Sequence, residues 1–293
     1  LPGAVAAQVV AALGGATSAA EQAGLVTPRT TSAEAFRAYL RGRHAVDTDP
    51  ATLRGVIREF EQAVALDSMF AEAWGRLSSA STRLFVGGNR DPKVAVRAKE
   101  ALERMLVLQP TSPLARTVRS NFLQNVAGDE PAARAELDLA LREWPSNAGL
   151  LSTSGAQDMN VGDLGSALTK LERARELDPR NPSVLGNLVR AYTYLGRPAD
   201  AQAAGATYLA VRPFSLGAIQ SVAMAYLSNA DLPGARDVLR AAVRRGVPVP
   251  GLVTRMAGNN ETGFALEDAD QRLLLRMTPA TFDDDRAWWG QTL

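Results

Sequence analysis

The chain has 293 residues, with 32 Lys and Arg against 31 Asp and Glu and a net charge of +1, so no whole-chain field draws it to nucleic acid or to an anionic membrane. Zero cysteines and one histidine remove disulfides, thiolate catalysis, zinc–cysteine sites and chemistry that needs two imidazoles. A hydrophobic share of 46% with 22% charged residues is that of a globular chain rather than a disordered one.

Residues 1–31 read as an apolar helix followed by a linker. The almost uncharged stretch 4–13 falls far short of the roughly 20 residues that span a bilayer, so no membrane insertion by this segment is expected. Thr27-Pro28-Arg29-Thr30-Thr31 is the linker. The chain opens at Leu1 without an initiator Met or a basic leader, and it closes on Trp288-Trp289-Gly290-Gln291-Thr292-Leu293. It reads as a piece of something longer.

Residues 32–248 carry an internal repeat, and its phase organises the chain. Prolines fall at Pro110, Pro145, Pro179 and Pro213, and alanines at Ala98, Ala133, Ala167, Ala201 and Ala235. Glycines recur at Gly128, Gly162 and Gly196, every 34 residues. Leu137, Leu171, Gly205 and Leu239 keep the same register, as do Ala140, Ala174, Tyr208 and Ala242. Each column has a physical reason. The glycine ends a first helix, where a left-handed residue closes the turn. The alanine lies just inside a second helix, where a small side chain lets two antiparallel helices approach. The residues four and seven further on share its face, and the proline stops the second helix.

Six units follow: 32–70, 71–112, 113–147, 148–181, 182–215 and 216–248. The third has one extra residue. The second carries an insertion around Phe85-Val86-Gly87-Gly88-Asn89-Arg90-Asp91-Pro92, expected as a protruding loop. Residues 249–293 read as irregular helices and the start of a further repeat.

The pattern resembles the tetratricopeptide repeat (TPR), which implies an all-α fold: a right-handed solenoid of helix–turn–helix units. The run from Ser32 to Arg43, with Phe60-Glu61-Gln62-Ala63-Val64-Ala65-Leu66-Asp67, is similar to the opening repeat of a bacterial group. In that group such arrays follow a TolB-like segment in serine/threonine kinases and related regulators. Residues 4–13 match the helix closing that segment. The stretch from Arg272 through Trp289 resembles the later repeats of the kinase-linked members. That resemblance implies that the repeats follow a membrane segment and face outside the cytoplasm. It implies no kinase activity here, because the Gly-rich loop, the strand lysine and the two Asp-bearing signatures are missing.

Candidate chemistry is sparse. Gly162-Asp163-Leu164-Gly165-Ser166-Ala167-Leu168-Thr169-Lys170 suggests a phosphate loop, but Lys-Ser/Thr does not follow the second glycine, so it reads as the repeat turn. His44 has no nominated partner base. Asp268, Asp270 and Asp283-Asp284-Asp285 lack the alternation of a calcium loop, and the triplet reads as a helix N-terminus. No metal, cofactor or catalytic residue is expected.

The surface left for function is the groove lined by the first helix of each unit. By register its peptide-binding candidates are Arg76, Arg83, Asn121, Gln124, Asn125, Asn187, Arg190 and Tyr194, with Glu72, Ser79, Gln220 and Met224 beside them. Asn and Arg there can bond the backbone and acidic groups of an extended peptide. The expected function is a non-catalytic interaction scaffold, a docking or sensing region of a larger bacterial protein. The alternative is a subunit that stacks head to tail into a filament through Val5, Val9, Val10, Leu13, Trp288, Trp289 and Leu293. Its partners are then a protein or peptide, or copies of itself.

Overall fold

Helix starts are set by capping residues that recur with the repeat. Ser112, Asn147, Asn181 and Ser215 each accept a hydrogen bond from a backbone N–H of the first turn they precede, and so do Asp129, Asp163 and Asp231 at the second helices. These short polar side chains satisfy amides that have no partner inside the helix. Arg197, in the aspartate's place before Pro198–Val211, makes no such bond, and neither does Phe70 before Ala71–Gly87.

The computed structural model describes residues 30–44, 50–88, 90–258 and 261–278. Among them run fourteen α-helices and no strand. They pair as α1 (Ala33–His44) with α2 (Pro50–Leu66), α3 (Ala71–Gly87) with α4 (Pro92–Leu108), and α5 (Pro113–Phe122) with α6 (Glu130–Glu143). Then come α7 (Ala148–Asn160) with α8 (Leu164–Leu177), α9 (Pro182–Tyr194) with α10 (Pro198–Val211), and α11 (Leu216–Leu227) with α12 (Leu232–Arg244). After these follow α13 (Val249–Ala257), a 3-10 turn at Gly263–Ala265, and α14 (Asp268–Leu274). No described helix is long and apolar enough to cross a membrane.

The glycine column does what its position requires. Gly128, Gly162 and Gly196 have φ of 70°, 82° and 63°, and the turns close by paired bonds such as Gly162 N to Met159 O at 3.1 Å and Asp163 N to Asp158 O at 2.9 Å. The next position in phase is Ala230, held at φ 57° with the same two bonds. A left-handed non-glycine residue costs about 1–2 kcal/mol, and glycine's extra freedom in the unfolded chain offsets about 0.5–1 kcal/mol. Ala230→Gly is therefore expected to stabilise the protein by ~0.5–1 kcal/mol, read as a higher denaturant midpoint, whereas Gly196→Ala should lower it.

The alanine column is the seam of every pair: Ala98, Ala133, Ala167, Ala201 and Ala235 are all fully buried. Opposite it stands a small residue that the repeat columns did not expose. Ser78 donates to the carbonyl of Ala98 and Ser120 to that of Ala133, each at 2.8 Å, while in the fourth unit the position is Gly155.

Both insertions are wound into helices. The single extra residue of the third unit makes a π turn at Leu123–Ala127 that continues α5. Half of the expected loop of the second unit is helix: α3 and α4 run 17 residues each, against 13 and 14 for α7 and α8. Phe85, Val86 and Gly87 belong to α3, and Pro92 opens α4 behind the cap Asp91. Helix continues there because each added residue gains a backbone bond at little cost once the turn exists.

From α3 onward each first helix packs on the next: α3 on α5, α5 on α7, α7 on α9, α9 on α11 and α11 on α13. Second helices touch mainly first helices. In a curved stack the more closely spaced layer is the inner one, so the first helices line the concave face. Beyond residue 248, Val253, Met256 and Leu266 join one core cluster with Ile219, Ala223 and Leu239. α13 thus takes the place of a seventh unit's first helix.

Candidate functional site

The inner face begins with two cations one above the other. Arg76 and Arg83 lie seven residues apart on α3, two helical turns, on one side of the helix. Neither has an ion-pair partner among the described residues, and the buried Nε of Arg76 has no hydrogen-bond partner. The Arg83 side chain is exposed to solvent. Burial first, and the neighbouring Arg76 cation second, lower its pKa from the ordinary arginine value. Two like charges held there favour an anionic group between them.

The first helix stacked on α3, with its π turn, carries Asn121, Gln124 and Asn125. Asn125 donates to the Asn121 carbonyl at 2.9 Å across the start of the π turn. Gln124 accepts at 3.4 Å from Gln157, whose amide also donates to Ser120 Oγ at 2.8 Å. Further along, Asn187 donates to the Ser152 carbonyl at 3.2 Å and to its hydroxyl at 3.1 Å. Gln220 donates to the Arg255 carbonyl at 3.1 Å and to Thr262 Oγ1 at 3.2 Å. The amides of the inner face thus tie one first helix to the next. Two candidates of the fifth unit stay open to solvent: Arg190, and Tyr194 at 62% exposure. They stand on α9, remote in sequence from the arginines of α3.

Sequence reasoning missed an ionic knot at the centre of the array. Asp158 is 4% exposed and accepts from Lys170 Nζ at 2.6 Å, Ser166 Oγ at 2.8 Å and Arg134 Nη2 at 3.1 Å. Lys170 also donates to Ser154 Oγ at 2.9 Å. One unit earlier, Glu136 holds Arg116 at 2.8 Å and Arg119 at 3.1 Å. A signal for the knot existed: Asp158, Tyr192 and Tyr226 are 34 residues apart, so a carboxylate stands in an aromatic column. Tyr192 shows the usual occupant. It donates to Glu172 at 2.9 Å beneath the Arg197 guanidinium, and burial, then that bond, raise its pKa above the usual tyrosine value.

The remaining sequence candidates resolve simply. Gly162 closes the turn and Lys170 is bound to Asp158, so the resemblance to a phosphate loop ends there. Asp270 accepts from the Glu267 backbone at 3.1 Å as part of a capping box, and no group of acidic or histidine side chains among the described residues could hold a metal ion. The side chain of His44 lies outside the described residues. So do the stacking candidates Val5, Val9, Val10, Leu13, Trp288, Trp289 and Leu293, and the triplet Asp283–Asp285.

A family model for the tetratricopeptide repeat matches residues 160–222. Among solved structures, a thermophilic TPR protein of Thermus thermophilus is 20% identical, with a TM-score of 0.52 over 66% of this chain and 99% of that one. The human IFIT1 dimer is 13% identical, with a TM-score of 0.59 over 80% of this chain and 57% of that one. The Cut9–Hcn1 hetero-tetramer of the APC/C is 18% identical, with a TM-score of 0.50 over 73% of this chain and 43% of that one. No curated protein matches the sequence. The likeness is one of fold: helix pairs stacked into a solenoid.

Proposed function

We propose that this all-α TPR solenoid is a non-catalytic interaction scaffold whose inner face holds an acidic segment of a protein partner, as a docking or sensing region of a larger bacterial protein. The TPR fold supports a protein partner. One observation carries the rest. Arg116, Arg119 and Arg134 are paired with buried carboxylates, whereas Arg76, Arg83 and Arg190 have no ion-pair partner among the described residues. Guanidinium is the group that recognises carboxylates by paired bonds, so cations left unpaired along a groove supply both affinity and direction for an acidic chain.

A hydrogen bond to a charged group is worth about 1.5–3 kcal/mol, which is on the order of a tenfold to hundredfold change in affinity. On an array of Asp- and Glu-containing peptides, Arg83→Glu and Arg190→Glu should each weaken the best binder by at least tenfold while leaving the molecular mass unchanged. Binding that survives both reversals removes the groove reading.

End-to-end assembly is the second reading. It is favoured by Phe264 and Leu275, which are 74% and 76% exposed at the last described turns, since a solenoid's terminal units need covering. Light scattering separates the two readings. A constant mass near 31.1 kDa across a concentration series supports the scaffold, and a mass that climbs without plateau supports the fibre.

A further inference from the structure

The last complete helix pair is left partly uncovered. Elsewhere the second helix of a unit has 13 to 17 residues, but α14, which stands in that place after α13, has only 7. What remains is a cavity of about 340 Å³ between α12, α13 and residues 263–270, within the range that holds a ligand-sized group. Its floor is apolar, formed by Leu239, Val243, Leu252 and Leu266, and Val243 is 40% exposed. Its rim carries Arg236, Arg240 and Arg244, one helical turn apart on α12, together with Glu267 and Asp270, of which Asp270 is engaged in the capping box. Arg240 is bonded to Asp237 at 3.2 Å and Glu267 at 3.0 Å. Arg236 and Arg244 have no carboxylate partner among the described residues, and the buried Nε of Arg236 bonds to nothing.

We infer that this cavity is the docking site for residues 279–293 of the same chain, with Trp288 or Trp289 in the apolar floor and Asp283–Asp285 against Arg236 and Arg244. Three observations select this occupant. The segment begins two residues after Met277, which already packs on the same core cluster. Ten residues from Thr278 to Trp288 reach about 15 Å as helix and about 33 Å extended, ample for a neighbouring cleft. Its chemistry also complements the cleft: Asp284 and Trp288, like Asp285 and Trp289, are four apart, so a helix there puts acid and indole on one face toward a cleft that offers guanidinium beside aliphatic side chains. An indole buries about 150–250 Å², and an arginine over its face adds a cation–π contact.

The chain has no cysteine, so an introduced pair reports its own proximity. In the full chain carrying Val243→Cys and Gln291→Cys, the disulfide should close within single molecules, at a rate unchanged over a hundredfold dilution. That rate should exceed by at least tenfold the rate of a control pair, Thr153→Cys with Gln291→Cys, on a distant helix. Adding Arg236→Glu and Arg244→Glu should slow it severalfold, with helical content unchanged by circular dichroism. Closure no faster than the control overturns the inference, as does closure indifferent to charge reversal. Cross-linking only between chains, rising with concentration, also overturns it and assigns the cleft to a second copy. A peptide of residues 279–293 gives the complementary test: added in excess, it should compete with the tethered segment and slow closure. Absence of any slowing counts against the inference.

Discussion

Asp158→Ala is expected to lower stability by about 3 kcal/mol, measured by urea unfolding. The carboxylate is 4% exposed and takes three hydrogen bonds from two units: Arg134 from the third, Lys170 and Ser166 from its own. Removing one partner of a buried pair costs about 3–5 kcal/mol, because the opposite charge remains without compensation. The low end applies here, since the side chains of Lys170 and Arg134 keep 27% and 46% of their exposure and water softens their loss. A double-mutant cycle with Lys170→Met separates the pair from the simple burial term. Asp158→Leu with Lys170→Met should recover much of the loss, because a buried ion pair replaced by apolar groups is often neutral. If the single and double variants are equally unstable, the knot is not an ionic one.

Gly155→Val should cost about 3 kcal/mol. A Cβ at this position would lie 2.9 Å from Leu171 Cγ and 3.1 Å from the carbonyl oxygen of Ala167. Leu171 is fully buried, and the carbonyl belongs to the backbone of the facing helix, so neither can yield cheaply. Overfilling a packed core costs about 1–3 kcal/mol, and a branched side chain pressed on backbone belongs at the top of that range. Gly55→Ala has the opposite sign. Inside α2 its Cβ would meet nothing nearer than Arg58 at 3.9 Å, so replacing glycine in a helix interior should add about 0.5–1 kcal/mol. Thermal unfolding of the two variants side by side shows whether seam contact, rather than helix preference, sets the outcome.

These residues also mark what the sequence made legible. The columns of alanine, glycine and proline reveal the helix pairs, their turns and the buried seam, because each column reports one backbone need repeated every 34 residues. The register places Asn187, Arg190 and Tyr194 correctly on a first helix. It cannot say whether the adjacent helix supplies a partner. Asn187 is bonded to Ser152, 35 residues away, while Arg190 has no bonded partner among the described residues, and that difference depends on how far one unit turns against the next. The ionic knot stayed hidden for the same reason: Arg134 and Lys170 lie on either side of Asp158 in sequence and meet only across a seam. The inserted segment of the second unit reads as a loop because it is rich in glycine and polar residues. Its helical half is added to an existing turn, which local composition does not disclose.

A stacked array is sensitive to mistakes in chain length. One residue added inside an α-helix swings everything after it by about 100° about the helix axis, so an inner face could be turned outward by a single codon. The π turn at Leu123–Ala127 absorbs that slip where it occurs: the next turn glycine, Gly128, again has a positive φ, and the units downstream return to a 34-residue beat. Length variation in this chain is thereby stored as local winding, and the face presented to a partner keeps its alignment. Deleting one residue from that turn should leave a regular third unit rather than a broken solenoid.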